Sequence, residues 1–197
     1  MSDQYSFIYH CGEGHLDAVR EAIAAGASVD ERDFLGRTGL ARACAGAHLD
    51  CVLLLLEAGA DPNTAETGDS ISMEACPPLV AAAAEGHVAI VRELLARGAE
   101  LESRSSRHRT PLGAAADGEH LEVMALLLGA GAQLEPRQGI HDRTALESAA
   151  HYTKGASIRR LLAAGANYQA TRDNKDNALH LYCGSVMGRC GDDTAQV

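Results

Sequence analysis

The sequence of 197 residues predicts an all-α solenoid, a row of stacked helix–turn–helix repeats. First, apolar stretches ending in Gly-Ala return along the chain, as in "LLLEAGADPN" and "LLLGAGAQLE". Second, aromatic residues make up only 4% and Trp is absent, so alanine must fill much of the core. Third, the period is nearly fixed: the intervals between the recurring glycines are 33, 39, 33 and 34 residues, which is typical of repeats that bury their apolar faces against one another. These glycines are Gly26, Gly59, Gly98, Gly131 and Gly165.

The stretch "TPLGAAADGEHLEVMALLLGAGAQLE" shows how one unit is built. Thr110 can cap a helix, and the proline after it is tolerated in a first helical turn. A short alanine-rich helix is expected near 112–117, followed by a break at 118–119. Apolar residues at helical spacing predict a second helix over 121–129, which Gly131 ends as a left-handed cap.

The repeated unit resembles the ankyrin repeat family, whose pattern is roughly D-x-x-G-x-T-P-L-H-x-A-A-x-x-G-H, a Val/Leu-rich helix and then G-A-D-x-N. Matching pieces include "DFLGRTGLARACAGAHLDCVLLLLEAGADPN" and "RTPLGAAADGEHLEVMALLLGAGAQLE". The resemblance implies repeats of about 33 residues with β-hairpin-like finger loops. We expect a single array over 1–187, with units near 5–30, 33–63, 77–102, 109–135 and 143–169, a partial unit at 176–187 and a tail at 188–197.

The units depart from the pattern at their turns. The turn glycine is replaced by Ala47, Glu119 and Thr153, and we expect a cost in stability if the backbone there needs a positive φ.

The 39-residue interval comes from a finger loop inserted at 65–76. Extra loop length costs little entropy, so a neutral insertion is one interpretation. The other is an extended finger that touches a partner.

Composition and charge limit the classes of partner and the cellular location that we expect. Residues 1–100 hold 16 acidic and 6 basic side chains, so the whole net charge of −10 lies there. This argues against nucleic acid as the partner and permits a basic protein. The sequence shows no transmembrane run or secretory signal, so we expect a cytoplasmic protein with reduced cysteines and no membrane contact.

The histidines and cysteines have structural interpretations. The resemblance implies that slot histidines hold repeats in register through loop backbone; these are His15, His48, His87, His120 and, in the T-P-L-H slot, His180. The remaining histidines have no carboxylate or Cys at metal-ligand spacing, so we expect no metal; they are His10, His108, His141 and His151. Cys11, Cys44 and Cys183 share one inner-helix position and should be buried, whereas Cys76 should be the most exposed thiol.

The motifs of nucleotide-binding, zinc-protease and serine-hydrolase sites are absent, so we expect no catalysis and no cofactor. The resemblance implies a partner-binding surface of finger loops and exposed inner-helix positions. Its predicted residues are Phe34, Leu35, Arg37, Met73, Glu74, Arg107, Arg109, Ile140, His141, Arg143, His151, Tyr152, Asn174 and Asp176, with Glu13, Glu85 and Asp117 as further inner-helix contributions.

The expected function is therefore a non-catalytic protein–protein interaction module, monomeric on its own, that binds a partner on its concave face and finger loops. The chain has 15 Arg and 2 Lys, which favours a GC-rich, bacterial gene. The specific hypothesis is an immunity or inhibitor protein that neutralises a basic, nuclease-like toxin. Two alternatives stay open: a scaffold or host-directed effector fragment, and an enzyme that uses His141, His151 and Cys76.

Overall fold

A computed structural model describes residues 3–33, 35–64, 76–106, 108–135 and 144–167. These residues form ten α-helices, and the all-α prediction is confirmed. The odd-numbered helices, here called the inner helices, pack against one another in chain order, and each is followed by its outer helix. The helices are α1 (Asp3–Glu13), α2 (Leu16–Ala24), α3 (Gly39–Ala45), α4 (Leu49–Glu57), α5 (Pro78–Glu85), α6 (Val88–Ala96), α7 (Pro111–Gly118), α8 (Leu121–Gly129), α9 (Ala145–His151) and α10 (Gly155–Ala163).

The outer limits of the array stay a prediction, because the partial sixth unit and the tail lie outside the described residues. In the finger between the first two repeats, Arg32 and Thr38 form an antiparallel bridge.

Threonine caps start three of the inner helices. The hydroxyls of Thr38, Thr110 and Thr144 each accept a hydrogen bond from the backbone N–H three residues later, at 3.1 to 3.2 Å. At Thr144 the cap is reciprocal, because the carboxylate of Glu147 accepts from the Thr144 N–H at 2.8 Å. These caps fix where these three inner helices begin.

The core is built from large aliphatic side chains, mostly leucine, and from alanine. The inner helices bury Leu40, Leu79 and Leu112, and the outer helices bury residues such as Leu94 and Leu127. Alanines fill the space between neighbouring inner helices, so these helices can approach closely. This agrees with the expectation drawn from the low aromatic content.

Two sets of hydrogen bonds link each repeat to the next. In the first set, Nε2 of His48, His87 and His120 lies 3.0, 3.2 and 2.9 Å from the carbonyl oxygen of Gly12, Ala45 and Ala84 in the preceding repeat. His15 departs from the expected role: no described repeat precedes it, and it pairs with His10 instead. His180 lies outside the described residues.

The second set uses the last residue of each Gly-Ala-x-x-x motif. Its side-chain oxygen accepts from the backbone N–H of the third motif residue in the next repeat. The bonds are Asp61 N to Asp30 Oδ1 at 3.0 Å, Glu100 N to Asn63 Oδ1 at 2.7 Å, Gln133 N to Glu102 Oε1 at 2.8 Å, and Asn167 N to Glu135 Oε1. The motif recurs because each copy continues the same chain of bonds.

The turns between inner and outer helices adopt positive φ, which is the condition under which a cost in stability is expected, with values of 62° at Ala47, 59° at Glu119 and 56° at Thr153. At position 86 glycine is required for a second reason, because a Cβ there would lie 2.4 Å from Nδ1 of His120. After Glu119 the next repeat places Lys154 in the histidine slot. No imidazole then covers the turn, and the Glu119 carboxylate accepts from Ala156 N at 2.8 Å.

The buried cysteines agree with the repeat register. Cys11 and Cys44 are fully buried free thiols on inner helices, whereas Cys76 is partly exposed; Cys183 lies outside the described residues. Burial, with a smaller contribution from Cys51, raises the pKa of Cys11 to about 12, and burial likewise raises the pKa of Cys44. Because the thiolate is the reactive form, both should be inert in the folded protein.

We predict a graded order of thiol labelling. Ellman's reagent, with peptide mapping by mass spectrometry, should modify Cys76 in the folded protein and reach Cys11 and Cys44 only after unfolding. Cys76→Ser should remove its labelled peptide without changing the other two. Rapid modification of Cys44 in the native state would contradict the repeat register.

Two substitutions at equivalent turns should have opposite effects on stability. Ala47→Gly removes a left-handed alanine and should raise the free energy of unfolding by about 0.5–1 kcal/mol. Gly86→Ala places a Cβ against His120 and should lower it by about 2 kcal/mol. Urea unfolding followed by circular dichroism measures both. Effects of the same sign would show that the two turns are not equivalent.

Candidate functional site

The exposed positions of the inner helices form one face, here called the inner-helix face. Because the repeats are stacked in register, residues at the same position of successive inner helices fall in rows. Two rows are exposed or half-buried: Gly12, Ala45, Ala84, Asp117 and His151; then Glu13, Gly46, Glu85, Gly118 and Tyr152. The neighbouring row begins with Tyr9 and Arg42 and is buried in the later repeats, at Ala81, Ala114 and Ser148.

The two exposed or half-buried rows of this face hold glycine or alanine at half of their positions, and their larger side chains are Glu13, Glu85, Asp117, His151 and Tyr152. Tyr9 is 53% exposed at the first repeat and Tyr152 is 51% exposed at the fifth. Tyr152 stands edge-on to His151, with ring centroids 5.0 Å apart. Both residues of this pair are exposed, so the fifth repeat presents two rings to solvent at the position predicted for partner contact.

Asp117 is the centre of a polar network on the same face. Its Oδ2 accepts from Nη1 of Arg109 at 3.0 Å, and its Oδ1 accepts from the hydroxyl of Ser148 in the next repeat. The Asp117 side chain is largely buried by these neighbours. Arg109 also closes its finger, since Arg109 N donates to Ser105 Oγ at 3.3 Å. Arg109, predicted as a partner contact, is therefore already engaged within the fold.

Arg37 is likewise engaged within its own finger. Its Nε and Nη2 each lie 2.8 Å from Oδ2 of Asp33. The other Asp33 oxygen accepts from the N–H groups of Leu35 and Arg37, both at 2.9 Å. Asp33, with a side chain only 5% exposed, therefore fixes the loop that carries Leu35. The guanidinium of Arg37 stabilises the finger, whatever else it contacts.

Other predicted contacts cannot be placed. Eight of the predicted site residues are described: Leu35, Arg37, Arg109, His151, Tyr152, Glu13, Glu85 and Asp117. The others lie outside the described residues: Phe34, Met73, Glu74, Arg107, Ile140, His141, Arg143, Asn174 and Asp176.

Sequence reasoning did not single out Tyr9 and Arg42, which lie in the row beside the inner-helix face. Both occupy the row of Ser148, and counting back from the turn of each repeat would have found them. Arg42 lies over Gly12, where an added Cβ would be 3.0 Å from the guanidinium Nε. Glu13 and Glu85 are exposed and form no ion pair with any side chain in the described ranges.

The described ranges contain no helix long and apolar enough to cross a membrane. They also contain no group of three or more His, Cys, Asp or Glu side chains that could hold a metal ion.

The stacked helix pairs and their inter-repeat bonds define a repeat-solenoid protein. A family model described as ankyrin repeats (3 copies) matches residues 2–66 and 79–172. The chain belongs to the ankyrin repeat family, whose repeats are protein–protein interaction modules.

Relatives of this chain are ankyrin repeat proteins. It is 33% identical to human ankyrin repeat and SOCS box protein 16 over 183 residues, which cover 89% of this chain and 39% of that protein. It is 39% identical to human ankyrin repeat domain-containing protein 63 over 77 residues, 39% of this chain and 19% of the relative. It is 37% identical to ankyrin repeat and KH domain-containing protein mask-1 of Caenorhabditis elegans over 83 residues, 42% of this chain and 3% of the relative. The chain thus spans well under half the length of each.

The Asp117 network should contribute to stability. Asp117→Ala leaves the Arg109 guanidinium and the Ser148 hydroxyl without this acceptor, and should lower the free energy of unfolding by about 1–2 kcal/mol. The matched control is Glu85→Ala on the same face, expected within about 0.5 kcal/mol of wild type. Chemical denaturation measures both. Equal stabilities of the two variants would mean that the network contributes nothing.

Proposed function

We propose that this chain is a non-catalytic module that binds a basic protein through its inner-helix face and finger loops. The observation that carries the proposal is the exposure of His151 and Tyr152 on the same face as Glu13 and Glu85, two exposed carboxylates that form no ion pair within the described ranges. Tyrosine is enriched among residues that dominate binding energy, and an unpaired exposed carboxylate is available to a cation.

Charge supports a basic partner. The net charge of −10 arises entirely within residues 1–100, so the first repeats present a negative field. Such a field accelerates association with a positively charged protein and is screened by salt. Neither nucleic acid nor a membrane surface, both anionic, matches this field, and we propose neither as the target.

The finger loops complete the proposed surface. Leu35 is presented by a loop that Asp33 fixes, so it can contact a partner with little loss of conformational entropy. The predicted finger residues outside the described ranges extend the same surface in this proposal, including the insertion at 65–76 with Met73 and Glu74.

A narrower form of the proposal names the partner's role. A small acidic interaction module suits an immunity protein that covers a basic, nuclease-like toxin in the cytoplasm, where cysteines such as Cys76 stay reduced. The chain would act as a monomer, one copy per toxin. A toxin-like reading frame beside the gene would support this role, and loss of toxin activity on mixing the two proteins would test it.

The other candidate role is a scaffold. It is favoured by the match along 89% of this chain to a relative whose name includes a SOCS box. In that case the basic partner would be held for another domain of a longer protein rather than inhibited.

The proposal is tested with two matched sets of variants on one partner. Partners are captured by the wild-type chain from lysate of the source cells, identified by mass spectrometry and purified for titration calorimetry. Tyr152→Ala and Glu85→Lys alter the inner-helix face, whereas Leu121→Ala and Glu122→Lys make the same changes on the outer helix α8.

Tyr152→Ala should cost about 2 kcal/mol of binding free energy, a loss of about 30-fold in affinity. Glu85→Lys should weaken binding most at low salt, because it reverses a charge that attracts the partner. The outer-helix variants should bind like wild type. If the outer-helix set abolishes binding and the inner set leaves it intact, the proposed face is wrong.

A further inference from the structure

The first repeat holds a slot histidine that the inter-repeat hydrogen bonds do not use. His48, His87 and His120 each direct Nε2 to a carbonyl oxygen of the preceding repeat. His15 occupies the same slot, but its described partner is another imidazole: Nδ1 of His15 lies 3.0 Å from Nδ1 of His10. His15 is exposed, so this pair of ring nitrogens faces solvent at one end of the array.

A second contact orients His10. Its Nε2 lies 3.0 Å from the hydroxyl oxygen of Ser6, one helical turn earlier. When Nε2 donates its hydrogen to that oxygen, Nδ1 of His10 carries a lone pair directed at His15. Metal-binding histidines are commonly oriented in this way, with the second ring nitrogen donating to a fixed acceptor. The ring of Tyr9 borders both imidazoles, with centroid distances of 5.7 and 6.1 Å.

Two nitrogen lone pairs at this distance repel each other. The two imidazoles must therefore hold either a shared hydrogen or a cation between their Nδ1 atoms. In a tetrahedral zinc site with Zn–N bonds of about 2.0–2.1 Å, two ligand nitrogens lie about 3.3 Å apart. The observed separation of 3.0 Å is within a few tenths of an ångström of that spacing. Small rotations of two exposed rings would open it.

We infer that His10 and His15 form a chelating site for a borderline divalent cation, Zn²⁺ or Cu²⁺, bound through the two Nδ1 atoms. Imidazole nitrogen suits these metals, and calcium or magnesium would prefer oxygen. No third His, Cys, Asp or Glu joins the pair within the described ranges, so water fills the remaining coordination positions. The sequence did not predict the site, because the two histidines are five residues apart and straddle a turn.

The inference is tested on the full, tag-free chain after treatment with EDTA. Calorimetric titration with ZnCl₂ at pH 7.5 should show one saturable ion per chain at this site, and two-dimensional NMR should place the largest shifts at His10 and His15. Binding releases protons, so it should weaken on acidification. His10→Gln and His15→Gln should each weaken Zn²⁺ binding at least ten-fold.

Two control variants keep the site intact. His151→Gln removes an exposed histidine elsewhere, and Cys76→Ser removes a partly exposed thiol that could also bind zinc; both should retain wild-type affinity. Circular dichroism checks that all four variants keep their helix content. Absence of zinc binding, or binding that is equal in wild type, His10→Gln and His15→Gln, overturns the inference.

Discussion

Hydrogen bonds from side chains to the backbone of a neighbouring repeat are the constraint on which the rest of this structure depends. A single helix pair cannot bury its apolar face, so the fold exists only if neighbours stack in one register. The hydrogen bonds from His120 to the Ala84 carbonyl and from the Asp61 N–H to Asp30 fix the position of each repeat relative to its neighbour. The alanine core follows, because inner helices held this close leave room for little more than a methyl group.

The interface between the fourth and fifth repeats shows what happens when one of these bonds is lost. Lys154 replaces the slot histidine, and other bonds take over: Ser157 Oγ donates to the Ala116 carbonyl at 2.9 Å, and the Glu119 carboxylate accepts from the Ala156 N–H. Ser148 adds its bond to Asp117 on the exposed side. Polar side chains are therefore concentrated where the regular bond is missing, next to the exposed ring of Tyr152.

Much of the fold could be predicted, because repeat period, threonine caps, left-handed turns and buried cysteines are local or periodic properties. Positive φ at Glu119 followed from its place in the repeat alone. The pairs Arg109–Asp117 and His10–His15 could not be predicted, since each depends on rotamers and on the reach of long side chains. Sequence position says which face a residue belongs to, but not whether its charge is already paired there.

That distinction decides which residues can contribute binding energy at little cost to the fold. A charge that is already paired must exchange one partner for another, so its net contribution to affinity is small or unfavourable. Arg37 and Arg109 are in this position, because Asp33 and Asp117 hold them. Tyr152 and Glu85 are exposed, and neither is engaged in such an ion pair within the described ranges, so contact with a partner adds interactions without removing ion pairs seen there. A binding surface on this solenoid is thus made from the positions that the inter-repeat bonds leave unused.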